Sequence, residues 1–324
     1  AALTKARDGS HIRVGSGVYT NGLETMPIQV TNLTGLTISG AGAAPTIFSG
    51  LGKVPLIMKI SQVQNTVISN INVTGGDDEV SETRGCGLRV IASSLTLQDC
   101  TISNNYIRSR TSMGSGIFVD YGSLLKMERC LVRDNRIYTT GGGWPSYGAG
   151  IYNYGALLAT DTQIVLNNNA ITYIGLERGG AVASSGQTIL RNCLLAGNIA
   201  TDDSGAIYAV KGNGYGGAGE SVVIENCTIA YNGRQAIHAE VPLTMTNVIL
   251  WGHTSDFTGT VAPVLVHCNT QSGTQAGSNG NITADPLFEF GYYLGAGSPA
   301  RDAGLDGTRL AATPFTTTID GSVD

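Results

Sequence analysis

Two adjacent carboxylates, Asp202 and Asp203, stand just before the segment SGAIYAVK that ends at Lys211. Paired carboxylates are the groups that protonate a leaving oxygen and activate water when a glycosidic bond is hydrolysed. Neighbouring residues of a strand point to opposite faces, so the plain alternative for this pair is a solvated turn. Lys211, Tyr173 and Arg178 suit a different reaction, in which a base removes a proton beside a carboxylate and a cation steadies the charge that develops. Around them runs an aromatic and basic series: Tyr106, Arg108, Arg110, Arg136, Tyr138, Trp144, Tyr147, Tyr173 and Arg178. Tyr and Trp present flat apolar faces to sugar rings, and Arg forks pair with carboxylates. The series suits an extended polysaccharide, an acidic one above all. The competing use of such rings is to pack long loops onto the body. Asp77–Asp78–Glu79 offers oxygen ligands of the kind Ca²⁺ takes, without a recognisable ligand spacing, so a solvated loop is the alternative. No CxxC or paired-His spacing exists to hold a transition metal, and no other cofactor is expected.

These residues must be positioned by the repeats that carry them. Five segments align: 85–105, 114–135, 148–167, 179–198 and 204–232. A sixth, 235–253, keeps the apolar pattern but has His253 where the others end in Asn. Within a repeat two apolar residues alternate, two polar ones follow, and two more apolar ones alternate. Leu95, Leu97, Cys100 and Ile102 do this, as do Leu125, Met127, Cys130 and Val132. Period two means strand with one buried face. A third strand opens at Ile117, Ile151, Val182, Ile207 and Ile237, just after a Gly-rich stretch. Three strands and three bends describe one rung of an all-β, triangular parallel β-helix. A lone rung buries nothing, and stacking roughly ten of them about 4.8 Å apart satisfies backbone and core together.

Five residues past the Cys position stands Asn in successive rungs: Asn105, Asn135, Asn167, Asn198 and Asn232. Stacked amides can bond one another, and Asn tolerates left-handed backbone, so a structural ladder is expected. Cys100, Cys130, Cys193 and Cys227 share one phase with Thr162 and Val248, which reads as a column of small buried residues with free thiols. Cys86 and Cys268 fall off that phase. His238 and His267 read as structural. From each ladder Asn to the next rung's Gly-rich opening the spacing is 11, 15 and 13 residues (Asn105 to Gly116, Asn135 to Gly150, Asn167 to Gly180). It then drops to 7 and 4 (Asn198 to Gly205, Asn232 to Ala236). Long loops leaving one edge form a wall, and loops on a rigid scaffold carry function.

Composition narrows the alternatives. Gly supplies 45 of 324 residues, and Lys only five. Charged residues make up 13% and hydrophobic ones 42%, with a net charge of −5. Disorder, coiled coil and helical bundle do not fit those proportions. A mildly acidic chain without a basic stripe is not expected to bind nucleic acid. No apolar run is long enough to span a membrane as a helix.

The opening DGSHIRVGSGVYT, the GGAV and SGAI repeat openings and the segment ADPLFEFGYYLGAGSPARDAG resemble secreted bacterial right-handed parallel β-helix proteins of the pectate-lyase-like superfamily. The repeats are also similar to those of polymorphic outer-membrane surface β-helices. The resemblance implies a single-stranded β-helix over 1–283, with 284–324 as a C-terminal extension packing on it or capping it. It also implies a bacterial protein that is secreted or held at the cell surface. Activity is left open by that superfamily: a lyase or glycoside hydrolase on extracellular polysaccharide, or a non-catalytic adhesin or matrix stalk. Asp202–Asp203 loosely resembles the paired-Asp strand of polygalacturonase-type hydrolases. Asn232–Gly233–Arg234 stands where their Gly-His-Gly would be sought.

Overall fold

A computed structural model describes residues 2–42, 44–79, 83–109, 112–138, 145–169, 177–212 and 220–305. One rung shows the grammar: strands Ile117–Val119, Leu124–Glu128 and Leu131–Arg133 lie on three successive faces. Each pairs in parallel with its counterpart one rung on, Ile117 on Ile151, Leu125 on Leu157 and Val132 on Ile164. Among the described residues, the face of Leu124–Glu128 stacks 10 strands and the face of Ile117–Val119 stacks 9. The rung count therefore differs slightly from the roughly ten expected from the repeats. Ile117, Leu125, Met127 and Val132 are fully buried in one continuous core with their equivalents in the neighbouring rungs, and at the ends of the stack Ile12 and Phe257 are partly buried against it. No helix among the described residues is long and apolar enough to cross a membrane.

The polar columns have specific jobs. Each ladder amide donates to the next rung: Asn105 Nδ2 to Asn135 Oδ1 (2.9 Å), then Asn135 to Asn167 (3.0 Å), Asn167 to Asn198 (3.0 Å) and Asn198 to Asn232 (2.8 Å). The same oxygens accept the backbone N–H of the rung before, so donors at a bend are satisfied without water. The left-handed residue is not the ladder Asn, as the sequence led one to expect, but its predecessor: Asn104, Asp134, Leu166 and Tyr231 have φ of 52°, 53°, 56° and 49°. The row ends at His253, which is buried and bonds the carbonyls of Ile229 and Asn232. The middle rungs open on Gly at positions 87, 116 and 150, where the next rung is too close for a side chain, while Ala181, Ala206 and Ala236 hold the same register position further along. A Cβ on Gly116 would lie 2.5 Å from Gly150 O and 2.8 Å from Asn135 Nδ2.

All six thiols are free and buried. Cys268 belongs to the repeat phase after all: Ile249 pairs with Asn269, which sets Cys268 beside Val248. The sequence pattern hides it because Thr270 stands where the other rungs have an apolar residue two places after the Cys position. The common feature of the column is a bond to the carbonyl two residues back, made by Cys100, Cys130, Cys193, Cys227 and Cys268 at 3.1–3.4 Å and by the Thr162 hydroxyl at 2.9 Å. Cys86 lies elsewhere, with Ile107, Ile137 and Ala149 beneath the loop stems.

At the N-terminus a single 3₁₀ turn, Leu3–Lys5, sets Leu3 and Ala6 against the core. At the other end the chain folds back along the stack. Phe288 and Tyr292 pack on Tyr231 (6.4 and 5.8 Å between ring centroids), and Leu305 N–H donates to Asn247 Oδ1 at 2.7 Å. His267 Nδ1 bonds Ala303 O at 3.0 Å.

Candidate functional site

On the face of Ile117–Val119 the residue after each opening hydrophobic points outward. Strand register aligns Arg89, Phe118, Tyr152, Ala183, Tyr208, His238 and Thr258 in one row along the stack. Beside it runs a second outward row, Arg84, Met113, Tyr147 and Arg178, on the four strands by which the long loops return to the body. A groove of about 800 Å³ and one of about 640 Å³ flank the loops. The smaller lies between these two rows, with Tyr154, Ser185, Val210, Lys211 and Glu240 on its far wall.

The floor of the smaller groove is aromatic. Phe118 and Tyr152 stack at 5.7 Å and 8°. At Ala183 the row lacks a ring, and Tyr147 leans across, 5.9 Å from Tyr152 and 6.1 Å from Tyr208. Arg178 lies 5.1 Å over Tyr208 and 5.8 Å over Tyr147, and bonds the Tyr147 hydroxyl at 3.3 Å. Arg84 lies 5.5 Å over Phe118. Burial pushes the Tyr208 phenol up to about 12, so it stays neutral and can donate a hydrogen bond. Among the described lining residues the charged ones are Arg84, Arg178, Lys211 and Glu240, three cations against one carboxylate.

At one end of this row His238 stacks on Tyr208 at 4.8 Å. Its Nδ1 is 3.2 Å from Thr258 Oγ1 and 3.5 Å from Asp203 Oδ1, while Nε2 is 3.5 Å from Glu240 Oε1 and makes no hydrogen bond. Asp203, raised chiefly by burial and lowered by His238, is thus placed behind the imidazole, on the side away from Glu240. Asp202 is exposed and meets a different group. Glu177 is buried in the loop stem, with its carboxyl pushed up to about 8 by burial first, then by the hydrogen bond and charge of Asp202.

The structure divides the basic and aromatic series expected from the sequence. Tyr147, Arg178 and Lys211 line the smaller groove. Tyr106, Arg108, Arg136 and Tyr138 line the larger, on the stems by which the loops leave the body. There Arg136 lies 5.8 Å over Tyr106, and Arg108 is paired with Asp77 (2.8 Å) and Glu79 (3.4 Å), which gives the acidic run a cation of its own. Arg110, Trp144 and Tyr173 lie outside the described residues. Sequence reasoning passed over Arg84, Phe118, Tyr152, Tyr154, Tyr208 and Glu240, and read His238 as structural. The signal was present in GIFV, GIYN, GAVA, AIYA and AIHA: the residue following the inward hydrophobic must face out.

A family model described as the right handed beta helix region matches residues 56–158. The crystal structure of pectate lyase Pel9A superposes with a TM-score of 0.57 at 12% identity, over 100% of this chain and 90% of that one. An alginate lyase from Paenibacillus sp. str. FPU-7 gives a TM-score of 0.36 at 12% identity, over 82% of this chain and 93% of that one. The catalytic domain of a GH87 alpha-1,3-glucanase in complex with nigerose gives 0.30 at 16% identity, over 78% and 64%. No curated protein sequence matches the chain. The Pel9A superposition bears on fold alone.

Proposed function

We propose that this chain, folded as a pectate-lyase-like right-handed parallel β-helix, holds an extended acidic polysaccharide in the groove between the Tyr152–Tyr208 and Tyr147–Arg178 rows. The observation that carries the reading is the groove's makeup: three cations and one carboxylate above a floor of Tyr rings and Phe118, running parallel to the stack. Arg178 offers a fork to a sugar carboxylate while its face is held by Tyr208, and Lys211 adds a further positive charge. Neutral phenols supply hydroxyl donors to the sugar. That Pel9A is a pectate lyase agrees with a carbohydrate substrate. An extracellular setting, secreted or at a bacterial surface, goes with such a partner.

A second reading, a non-catalytic surface stalk or adhesin, is favoured by one observation. Phe118 and Tyr208 are only 2% and 4% exposed, so much of their surface is spent on each other's neighbours. Retention in native gels cast with neutral and acidic polysaccharides separates the two. The groove reading expects retardation by acidic gels that Arg178→Ala and Lys211→Ala each weaken about tenfold, the loss of roughly 1.4 kcal/mol. Absence of retardation by every polysaccharide, or retardation that ignores both changes, favours the stalk.

A further inference from the structure

The hydrogen bonds around His238 fix where its proton is. Thr258 Oγ1 donates its one proton to Gln235 Oε1 (3.2 Å), so toward His238 Nδ1 it acts as acceptor, and Nδ1 carries the hydrogen. In the neutral ring Nε2 is then a bare lone pair. It faces Glu240 Oε1 at 3.5 Å, and no hydrogen bond satisfies it. Two bare acceptors in contact are a place for one more proton. Glu240 is 41% exposed and lines the groove, while Nε2 is covered, so a proton reaches the pair through the carboxylate. Asp203 at the Nδ1 side steadies an imidazolium, and the stacked Tyr208 and the Thr258 bond prevent the ring from turning.

We infer that Glu240 and His238 are a proton-transfer pair acting on the acidic polysaccharide of the proposed groove, with Glu240 the catalytic residue and His238 the residue that positions it and stores its proton. This rests on the reading of the groove given above. Glu240 is the single carboxylate among the described lining residues, and hydrolysis calls for two. The chemistry that fits one proton-transfer group plus Arg178 and Lys211 is β-elimination on a uronate. Glu240 takes the proton from the carbon beside the sugar carboxylate and passes its charge change to Nε2. The C–H electron pair becomes the new C=C bond, the C–O bond on the adjacent carbon breaks, and the departing oxygen takes the proton back from the pair. One bond to hydrogen and one to oxygen are exchanged for one double bond and one hydroxyl, without an added oxidant or co-reactant. Arg178, over Tyr208, pairs with the sugar carboxylate as charge moves onto it.

The test uses the full chain with pectate, alginate and a neutral glucan. Ultraviolet absorbance reads unsaturated ends, a reducing-sugar assay reads all chain breaks, and gel retention reads binding. The expected result is unsaturated product from a retained uronate polymer. Glu240→Gln should lower kcat by about 10²–10⁴, the usual size of such catalysis, while retention by acidic polymer is kept or tightened, since the change removes the one carboxylate among the described lining residues. His238→Gln should lower kcat and shift the acidic limb of the pH–rate profile, which a purely structural change leaves in place. Thermal melts of both variants check folding, and His238→Asn serves if His238→Gln melts early. Retention without unsaturated product from any uronate polymer overturns the inference and leaves the groove reading standing. So do chain breaks without unsaturation, and an active Glu240→Gln. Failure of the wild-type chain to be retained by any polymer removes both.

Discussion

The imidazole of His238 lies 4.8 Å from the ring of Tyr208, inclined by 24°, and Arg178 from the preceding rung lies 5.1 Å over the same ring. Tyr208 therefore couples the cationic wall of the groove to the group that faces Glu240. Tyr208→Ala should destabilise by about 3–5 kcal/mol, as loss of a buried ring does, whereas Tyr208→Phe should stay within about 1 kcal/mol. Denaturant titration checks both. Equal losses would mean that the hydroxyl, not the stack, is what matters.

Binding by charge should weaken as salt rises. Exposed charges lose their reach as the Debye length falls from about 10 Å at 0.1 M to about 3 Å at 1 M. Retention by acidic gels should therefore decline steadily between those concentrations, while any retention by neutral gels stays level. A flat salt response would remove Arg84, Arg178 and Lys211 as the binding charges.

Glu177 makes the loop stem sensitive to alkali. Its folded carboxyl is raised to about 8 against an ordinary 4.5, so the folded chain holds this proton more tightly than the unfolded one. The contribution is complete below pH 4.5, is lost as pH rises through 8, and is absent beyond. Between pH 6 and pH 9 about two pH units of that linkage are lost, roughly 2–3 kcal/mol, so the melting temperature should fall by about 5–10 °C. Glu177→Gln should flatten that fall, and a variant that melts with the wild-type pH dependence would exonerate this carboxyl.

Asn167 accepts from Asn135 N and Nδ2 and donates to Asn198. Asn167→Ala strands the buried Asn135 N–H, at about 1–3 kcal/mol, and removes one bond each from Asn135 Nδ2, Asn198 Oδ1 and Val132 O, at about 1 kcal/mol apiece. The expected loss is at least ~3 kcal/mol by denaturant titration. A loss under 1 kcal/mol would show the ladder to be ornamental.

The thiol column answers to the same logic. Burial raises Cys100 to about 11 and Cys130 further, so neither is a nucleophile in the native chain. A thiol reagent at pH 8 should label no cysteine until denaturant is added. Cys193→Thr should hold stability within about 1 kcal/mol, because Thr162 already makes the same bond to the carbonyl two residues back.

Much of this was legible from residue order alone. Leu95, Leu97, Cys100 and Ile102 announced strand, bend and strand because period two and a stacked core leave little freedom, and the ladder Asn announced itself by spacing. The groove was less legible, for a physical reason. Long loops rich in Arg and aromatics draw the eye, yet Phe118, Tyr152 and Tyr208 sit inside short strands where rings are common and each looks like core. Only register, which sums residues from rungs about thirty positions apart, reveals that they share one outward row. Glu240 and His238 likewise come together with Asp203 across a rung, and nothing in the separate segments AIHAE and TDDS tells of it. Cys268 was hidden by the same difficulty, since Asn269 and Thr270 replace the apolar pattern while keeping the pairing with Ile249 and Leu250.

Along the ladder every amide-to-amide bond runs the same way: Asn105, Asn135, Asn167 and Asn198 each donate toward the last rung, and the oxygens of Asn135 through Asn232 accept from the rung before. A row with one polarity can gain or lose a whole turn without ever setting two donors or two acceptors against each other. Gene duplication could therefore lengthen this molecule by modules, and each added module would extend the Tyr-lined shelf by one step while leaving the seam chemically intact.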